Sequence, residues 1–211
     1  MDVCCTHEHS PTLAAGPYRR VLWIALAANA LMFLVELAAG IAAGSVALQA
    51  DALDFLGDAA NYGVSLFVLG MSLAVRARAA LLKAASMALF GLWVIGTAIH
   101  NAVAGTVPEP AVMTVVGMAA LIVNVGVAAL LWKWRAGDAN MRSVWLCTRN
   151  DALGNLAVLA AAAGVFGTGS GWPDLVVAAI MAALALSSAL SVAGQARREL
   201  ARSSMQPSPA E

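Results

Sequence analysis

The amino-acid sequence predicts an all-α membrane protein with six transmembrane helices and both termini in the cytoplasm. Three observations support this: a composition too apolar for a water-soluble surface, six segments of membrane-spanning length, and basic residues at alternate connections. Of the 211 residues, 61% are hydrophobic and 11% are charged, whereas soluble domains carry about 25% charged residues. The 12 basic and 12 acidic residues balance, so we expect no nucleic-acid partner. The expected surroundings are a lipid bilayer, of the bacterial inner (plasma) membrane type.

Six segments contain the roughly 20 apolar residues that a helix needs to cross about 30 Å of hydrocarbon. The first follows a start that lacks the basic residues and cleavage site of a secretory signal, so we expect it to remain as a span. Glycine and proline residues mark the turns between spans. The predicted spans are 21–43, 46–75, 81–104, 111–132, 143–167 and 175–194.

Basic residues lie at every second connection. The connections near Gly44, Pro108 and Ser170 contain none, and 11 of the 12 basic residues lie at the other ends of the spans. The positive-inside rule therefore places both termini in the cytoplasm. The 11 residues are Arg19, Arg20, Arg76, Arg78, Lys83, Lys133, Arg135, Arg142, Arg197, Arg198 and Arg202.

The chain divides into three predicted regions: a cytoplasmic N-terminal tail (1–20), a six-helix membrane domain (21–200) and a short polar tail (201–211). We expect no soluble C-terminal domain. The N-terminal tail contains a Cys/His tract of a kind that binds metals in many contexts, although disordered ends also collect such residues. Its spacing is too tight for a closed structural zinc site. The accessory metal ligands that it offers are Cys4, Cys5, His7 and His9.

The second predicted span carries three aspartates, although each acidic residue costs about 2.5–3.5 kcal/mol within a membrane. Asp51, Asp54 and Asp58 are spaced i, i+3 and i+7, which places them on one helical face. A deeply buried carboxylate such as Asp58 indicates a functional role. Asp51 has an alternative interpretation as a water-facing residue at the start of the helix, and we treat it as an accessory candidate.

The fifth predicted span carries Cys147, Asp151 and Asn155 at i, i+4 and i+8, again on one face. Because the second and fifth spans run in opposite directions, their polar faces can meet. Four ligand groups then converge, the number that a tetrahedral divalent metal takes. Cys147 alone is typical of a small buried hydrophobe, and its position one turn before Asp151 is what favours a ligand. The four candidate ligands are Asp54, Asp58, Cys147 and Asp151.

Glu36 in the first span is also embedded in the membrane, where a protonated carboxyl can form a helix-to-helix hydrogen bond. Gly40 and Gly44 form a GxxxG pair, which predicts close helix packing.

The stretch NALMFLVELAAGIAAGSVALQADALDFLGDAA (29–60) resembles the first two helices of cation diffusion facilitators. In that family an asparagine, a glutamate, a glycine and a serine lead into an A-D-A-x-(H/D)-x-x-x-D motif. Residues 147–154 are similar to the family's (H/D)-x-x-x-D-A-L-G in the fifth helix, and the resemblance covers 21–200. Matching positions are Asn29, Glu36, Gly40, Ser45, Asp51, Asp54, Asp58, Asn124 and the Trp172-Pro173-Asp174 start of the sixth span.

The resemblance implies a transporter rather than an enzyme, which exports divalent metal from the cytoplasm in exchange for protons and usually forms a homodimer. It implies no prosthetic group, and it assigns the metal to Asp54, Asp58, Cys147 and Asp151. The sequence departs from the family in two ways. Cys147 replaces the usual histidine or aspartate, and neither a ferredoxin-like C-terminal domain nor a His-rich loop between the fourth and fifth spans is found.

The chemistry of the four candidate ligands also favours metal and proton exchange. Three carboxylates and a thiol in a dry site repel one another unless a cation binds, so metal binding must release protons. A thiolate favours zinc or cadmium over magnesium or calcium, and cobalt, nickel, iron and copper are compatible with the same donors.

Two alternatives stay open. One is a metal sensor or scaffold of the same fold that does not transport. The other is an intramembrane aspartyl hydrolase, in which two buried aspartates share a proton. The hydrolase is disfavoured because its Gly-x-Gly-Asp context is absent and because Asp54 and Cys147 would have no role.

Overall fold

In a computed structural model, the chain folds into six long helices joined by short connections. The structure describes residues 16–68, 71–134 and 139–205, without the side chains of residues 68, 73, 134, 139–150 and 202–205. These residues contain no strand, so the all-α fold class is confirmed. The helices are α1 (Gly16–Ala43), α2 (Val46–Gly63), α3 (Leu73–Ala104), α4 (Pro110–Leu131), α5 (Ala139–Thr168) and α6 (Trp172–Met205), with a π-helical turn at Val64–Val68 and a 3-10 turn at Trp132–Trp134.

Five of these helices, all except α2, are long and apolar enough to cross a membrane. α2 differs because its 18 residues include Asp51, Asp54 and Asp58. Its surroundings explain why it can hold them: α2 packs against α1, α3, α5 and α6, and 13 of its residues are buried. A helix enclosed by protein rather than lipid tolerates polar side chains at membrane depth. The fold is that of an integral, multi-pass membrane protein.

The outer surface of the bundle is apolar. Leu82 of α3, Phe166 of α5 and Leu190 of α6 are each more than two-thirds exposed. The largest buried cluster lies instead between α2, α5 and α6 and includes Leu53 and Val158. Large apolar side chains on the outside, together with aspartates buried inside, are the arrangement expected of a bundle surrounded by lipid.

Three connections meet at one end of the bundle. The Glu109 backbone N–H donates to the Ala43 carbonyl over 3.0 Å, which joins the α3–α4 connection to the α1–α2 turn. A Cβ on Gly171, between α5 and α6, would lie 2.4 Å from the Thr106 carbonyl oxygen, so only glycine allows this approach. Gly44 takes the left-handed backbone conformation, with φ +68°, that a turn of two residues between helices requires. These are the connections that carry no basic residues.

The turn between the second and third helices comes earlier than the sequence predicted. α2 ends at Gly63, the π-helical turn follows, and α3 begins at Leu73, whereas the predicted second span ran to residue 75. Arg76 and Arg78 therefore lie in the first turns of α3 rather than between helices. The apolar run continues through the turn, so hydropathy alone does not locate it. α6 likewise extends past its predicted end at 194.

Candidate cation site between α2 and α5

The start of α2 is held by a carboxylate from another helix. Ser45, the residue before the helix, accepts from the Leu48 backbone N–H over 3.1 Å and donates its hydroxyl to Asp174 Oδ1 of α6 over 2.6 Å. Asp174 also accepts from the backbone N–H groups of Val46 (2.8 Å) and Ala47 (3.1 Å). These N–H groups have no partner within the helix, so Asp174 fixes where α2 begins and how it is rotated against α6.

The three aspartates of α2 lie inside the bundle. Asp51 is 1% exposed and Asp58 is 7% exposed, while Asp54 is half-buried. The interpretation of Asp51 as a water-facing residue is therefore wrong. Asn155 of α5 donates its Nδ2 to Asp51 Oδ2 over 2.7 Å, and a buried donor of this kind replaces the water that a carboxylate would otherwise need.

α5 brings its own carboxylate to the same face. The carboxyl groups of Asp58 and Asp151 interact directly, and the charge of Asp54 also acts on Asp151. Asp58 pairs with residue 151 whereas Asp51 pairs with Asn155, so the two helices run antiparallel, as their polar stripes predicted. Among the described groups, none donates a hydrogen bond to the buried Oδ2 of Asp151.

Gly154 keeps the space beside these carboxylates open. A Cβ at this position would lie 3.7 Å from both Asp51 Oδ1 and Asp54 Oδ2, and 3.6 Å from Cε of Met181. The backbone of α5 therefore passes directly beside the acidic stripe of α2, which consists of Asp51, Asp54 and Asp58. Any side chain longer than a methyl group at position 154 would enter the space between Asp51 and Asp54.

One end of the stripe carries hydrogen-bond donors. The Tyr62 hydroxyl donates to Asp58 Oδ2 over 3.2 Å. Lys83 of α3 donates to Asn61 Oδ1, and its positive charge acts on Asp58. The site is therefore partly neutralised by protein at the α3 side, whereas Asp51 at its other end is bonded to the amide of Asn155.

Of the candidate ligands, the structure brings the carboxyl groups of Asp58 and Asp151 into contact and places Asp54 close enough for its charge to act on Asp151. The side chain of Cys147 lies outside the described residues, as do Cys4, Cys5, His7 and His9. Within the described part, no group of three or more His, Cys, Asp or Glu side chains is arranged as a ready metal cage. The described carboxyl groups bond instead to Asn155, Tyr62 and one another.

Several polar contacts were not predicted from the sequence. Asp174 was matched to a family position, but its bonds to the start of α2 were not foreseen. Trp93 donates its Nε1 to Gln49 Oε1 over 3.1 Å, and Asn124 donates its Nδ2 to Asn155 Oδ1 over 3.0 Å. The only sequence signal for such pairs is the presence of a polar residue in an apolar run.

A family model described as the cation efflux transmembrane domain matches residues 22–201. No curated protein matches the chain.

Proposed function

The chain belongs to the cation efflux family, and from this premise we propose that it exports divalent metal ions, zinc and cadmium above all, in exchange for protons. Members of this family are transporters rather than enzymes, and membership supports divalent cation transport in general. The observation that carries the proposal is the contact between the carboxyl groups of Asp58 and Asp151, because it joins two buried acids from different helices.

We assign the transported metal to Asp54, Asp58, Cys147 and Asp151. Two ionised carboxylates in contact repel each other in a dry interior, so they must share either a proton or a metal ion. A metal that enters displaces protons, and protons that return displace the metal. When the bundle opens alternately to the two sides, this competition couples metal export to proton entry.

We also propose that α2 is the sixth span and that both termini are cytoplasmic. At the 1.5 Å rise of an α-helix, the 18 residues of α2 and the five of the π-helical turn cover roughly 35 Å, enough to cross the hydrocarbon. The three connections without basic residues meet at one end of the bundle, and the positive-inside rule assigns that end to the outside.

Cysteine labelling in intact cells tests this topology. A membrane-impermeant thiol reagent should label Val107→Cys, in the α3–α4 connection, and should not label Arg78→Cys until the cells are opened. Both side chains are exposed, so access to reagent alone decides the result. Labelling of the parent protein gives the background from its native cysteines. The reverse labelling pattern would show that the protein has the opposite orientation in the membrane.

Substitution of Cys147 tests whether its sulfur binds the metal. If it does, Cys147→Ala should lower transport of cadmium, the softer metal, by on the order of tenfold or more, and by more than that of zinc. Cys147→His should retain zinc transport, because imidazole suits zinc. The measurement is zinc and cadmium uptake by proteoliposomes at a fixed pH gradient. Unchanged cadmium uptake by Cys147→Ala would remove Cys147 from the site.

Substitution of Gly154 tests the open space beside Asp51 and Asp54. Gly154→Val should reduce metal uptake on the order of tenfold or more, since its methyl groups would enter this space. Gly154→Ala is the matched control, because its Cβ would make only ordinary contacts near 3.7 Å, and it should transport nearly normally. Equal uptake by the two variants would show that metal does not occupy this space.

Uptake by proteoliposomes tests the proposed function as a whole. Purified protein is reconstituted with an acidic lumen, and zinc, cadmium, cobalt and nickel are added outside in turn. We expect accumulation of zinc and cadmium that disappears when an ionophore collapses the pH gradient. A protein that binds these metals but never accumulates them would be a sensor or scaffold rather than a transporter.

A further inference from the structure

A second pair of buried carboxyl groups lies beside the proposed metal site. Glu36 of α1 is 0% exposed and Asp51 of α2 is 1% exposed. The two carboxyl groups lie within hydrogen-bonding reach of each other. Among the described side chains and backbone groups, none donates a hydrogen bond to either oxygen of Glu36 or to Oδ1 of Asp51. Ionised carboxylates are acceptors only, so a pair in contact away from water needs either a shared proton or a cation between its oxygens.

Neighbouring amides orient the pair. Asn155 donates to Asp51 Oδ2 over 2.7 Å and accepts from Asn124 over 3.0 Å. The hydrogen bond from Asn155 occupies Oδ2 of Asp51, so Oδ1 is the oxygen that is available to a ligand. Oδ1 of Asn124 is also buried and, within the described part of the chain, without a donor. Among the described residues, the buried atoms of Glu36, Asp51 and Asn124 that lack a donor are all oxygens.

Charge around the pair favours a cation. The charges that act on Glu36 are those of Asp51 and Asp54, and both are negative. The positive charge of Lys83 acts on Asp58, at the opposite end of the stripe. Because burial deprives Glu36 and Asp51 of solvent as well, the positive charge between them must come from a shared proton or from a bound cation.

The pair is continuous with the proposed transport site. Asp51 Oδ1 and Asp54 Oδ2 both face Gly154, each 3.7 Å from the position that its Cβ would occupy. Because residue 154 is glycine, no side chain of α5 stands between the two carboxylates at this point.

We propose that Glu36 and Asp51, with the amide oxygen of Asn124, form a second divalent-cation site. This inference rests on the proposed function, since the site would receive the transported metal. The site lies one helical turn beyond Asp54, towards the end of the bundle where the connections without basic residues meet. Its donors are oxygen atoms only, whereas the first site includes a thiolate. The second site therefore holds zinc more weakly and allows the ion to leave.

Zinc binding to the purified full-length protein tests the second site. Equilibrium dialysis in detergent measures bound zinc per chain for the parent protein and for Glu36→Gln. The glutamine keeps the shape of the side chain and supplies an N–H donor to Asp51, so the fold should persist. We expect Glu36→Gln to lose one bound zinc ion per chain. Glu109→Gln, which changes an exposed glutamate, is the matched control and should lose none.

The same measurement in Asp58→Asn/Asp151→Asn protein separates the two proposals. If the second site exists, adding Glu36→Gln to this background should again remove one zinc ion, even though the first site is gone. If zinc binding is the same with and without Glu36→Gln in both backgrounds, Glu36 and Asp51 share only a proton and the second site is wrong. Failure of the proposed function would appear instead as absent zinc uptake by the parent protein.

Discussion

Asp58→Asn and Asp151→Asn should each reduce metal uptake by on the order of 100-fold or more while the protein still reaches the membrane. Each substitution removes one of the two carboxylates that meet between α2 and α5. Loss of a group that only supports a metal ligand already costs about 10–100-fold in affinity or activity, and loss of a ligand should cost at least as much. Asparagine has nearly the same shape as aspartate, so the packing of the two helices should survive.

Metal resistance of cells and uptake by proteoliposomes measure this effect. Glu109→Gln is the control for loss of an acidic group, because Glu109 is exposed in the α3–α4 connection. Thermal unfolding in detergent checks that both variants are folded. Normal metal uptake by both Asp58→Asn and Asp151→Asn would end the assignment of the metal site to α2 and α5.

Asp174→Ala should lower the free energy of unfolding by about 3 kcal/mol. The variant leaves the Ser45 hydroxyl and the backbone N–H groups of Val46 and Ala47 without their acceptor. Each unsatisfied buried group costs about 1–3 kcal/mol. Side-chain hydrogen bonds in membrane proteins average only about 0.6 kcal/mol. Asp174 should exceed that average because it is 1% exposed and because helix-start N–H groups find no other partner.

Unfolding by a titrated denaturing detergent measures the loss in Asp174→Ala. Asp174→Asn keeps one acceptor oxygen and should fall between Asp174→Ala and the parent protein. Thr114→Val is the matched control, since Thr114 also makes a hydrogen bond in the first turns of a helix, to the Pro110 carbonyl, but is exposed. If Asp174→Ala is no less stable than Thr114→Val, Asp174 does not hold α2 in place.

The acidic stripes could be predicted because helical periodicity is local. The i, i+3, i+7 spacing in α2 and the i, i+4 spacing of Asp151 and Asn155 place polar groups on single faces. The structure indeed pairs Asp51 with Asn155 and Asp58 with Asp151. The burial of Asp51 could not be predicted in this way, since it depends on α1 and α5 covering the start of α2.

Contacts between distant parts of the chain account for the rest. Asp174 and Val46 lie 128 residues apart, and Gln49 and Trp93 lie 44 residues apart. No spacing rule connects such pairs, so their partners follow only from helix packing. The turn after Gly63 was misplaced for another reason: the residues around it are as apolar as the helices that it joins, and hydropathy does not distinguish them.

Simultaneous measurement of zinc entry and lumen pH tests the exchange of metal for protons most directly. Proteoliposomes containing a pH-sensitive dye start with equal pH on both sides, and zinc is added outside. We predict that zinc enters and that the lumen becomes more alkaline as protons leave, and that both signals vanish in Asp58→Asn. Zinc entry at constant lumen pH would contradict proton exchange, and no zinc entry by the parent protein would contradict transport itself.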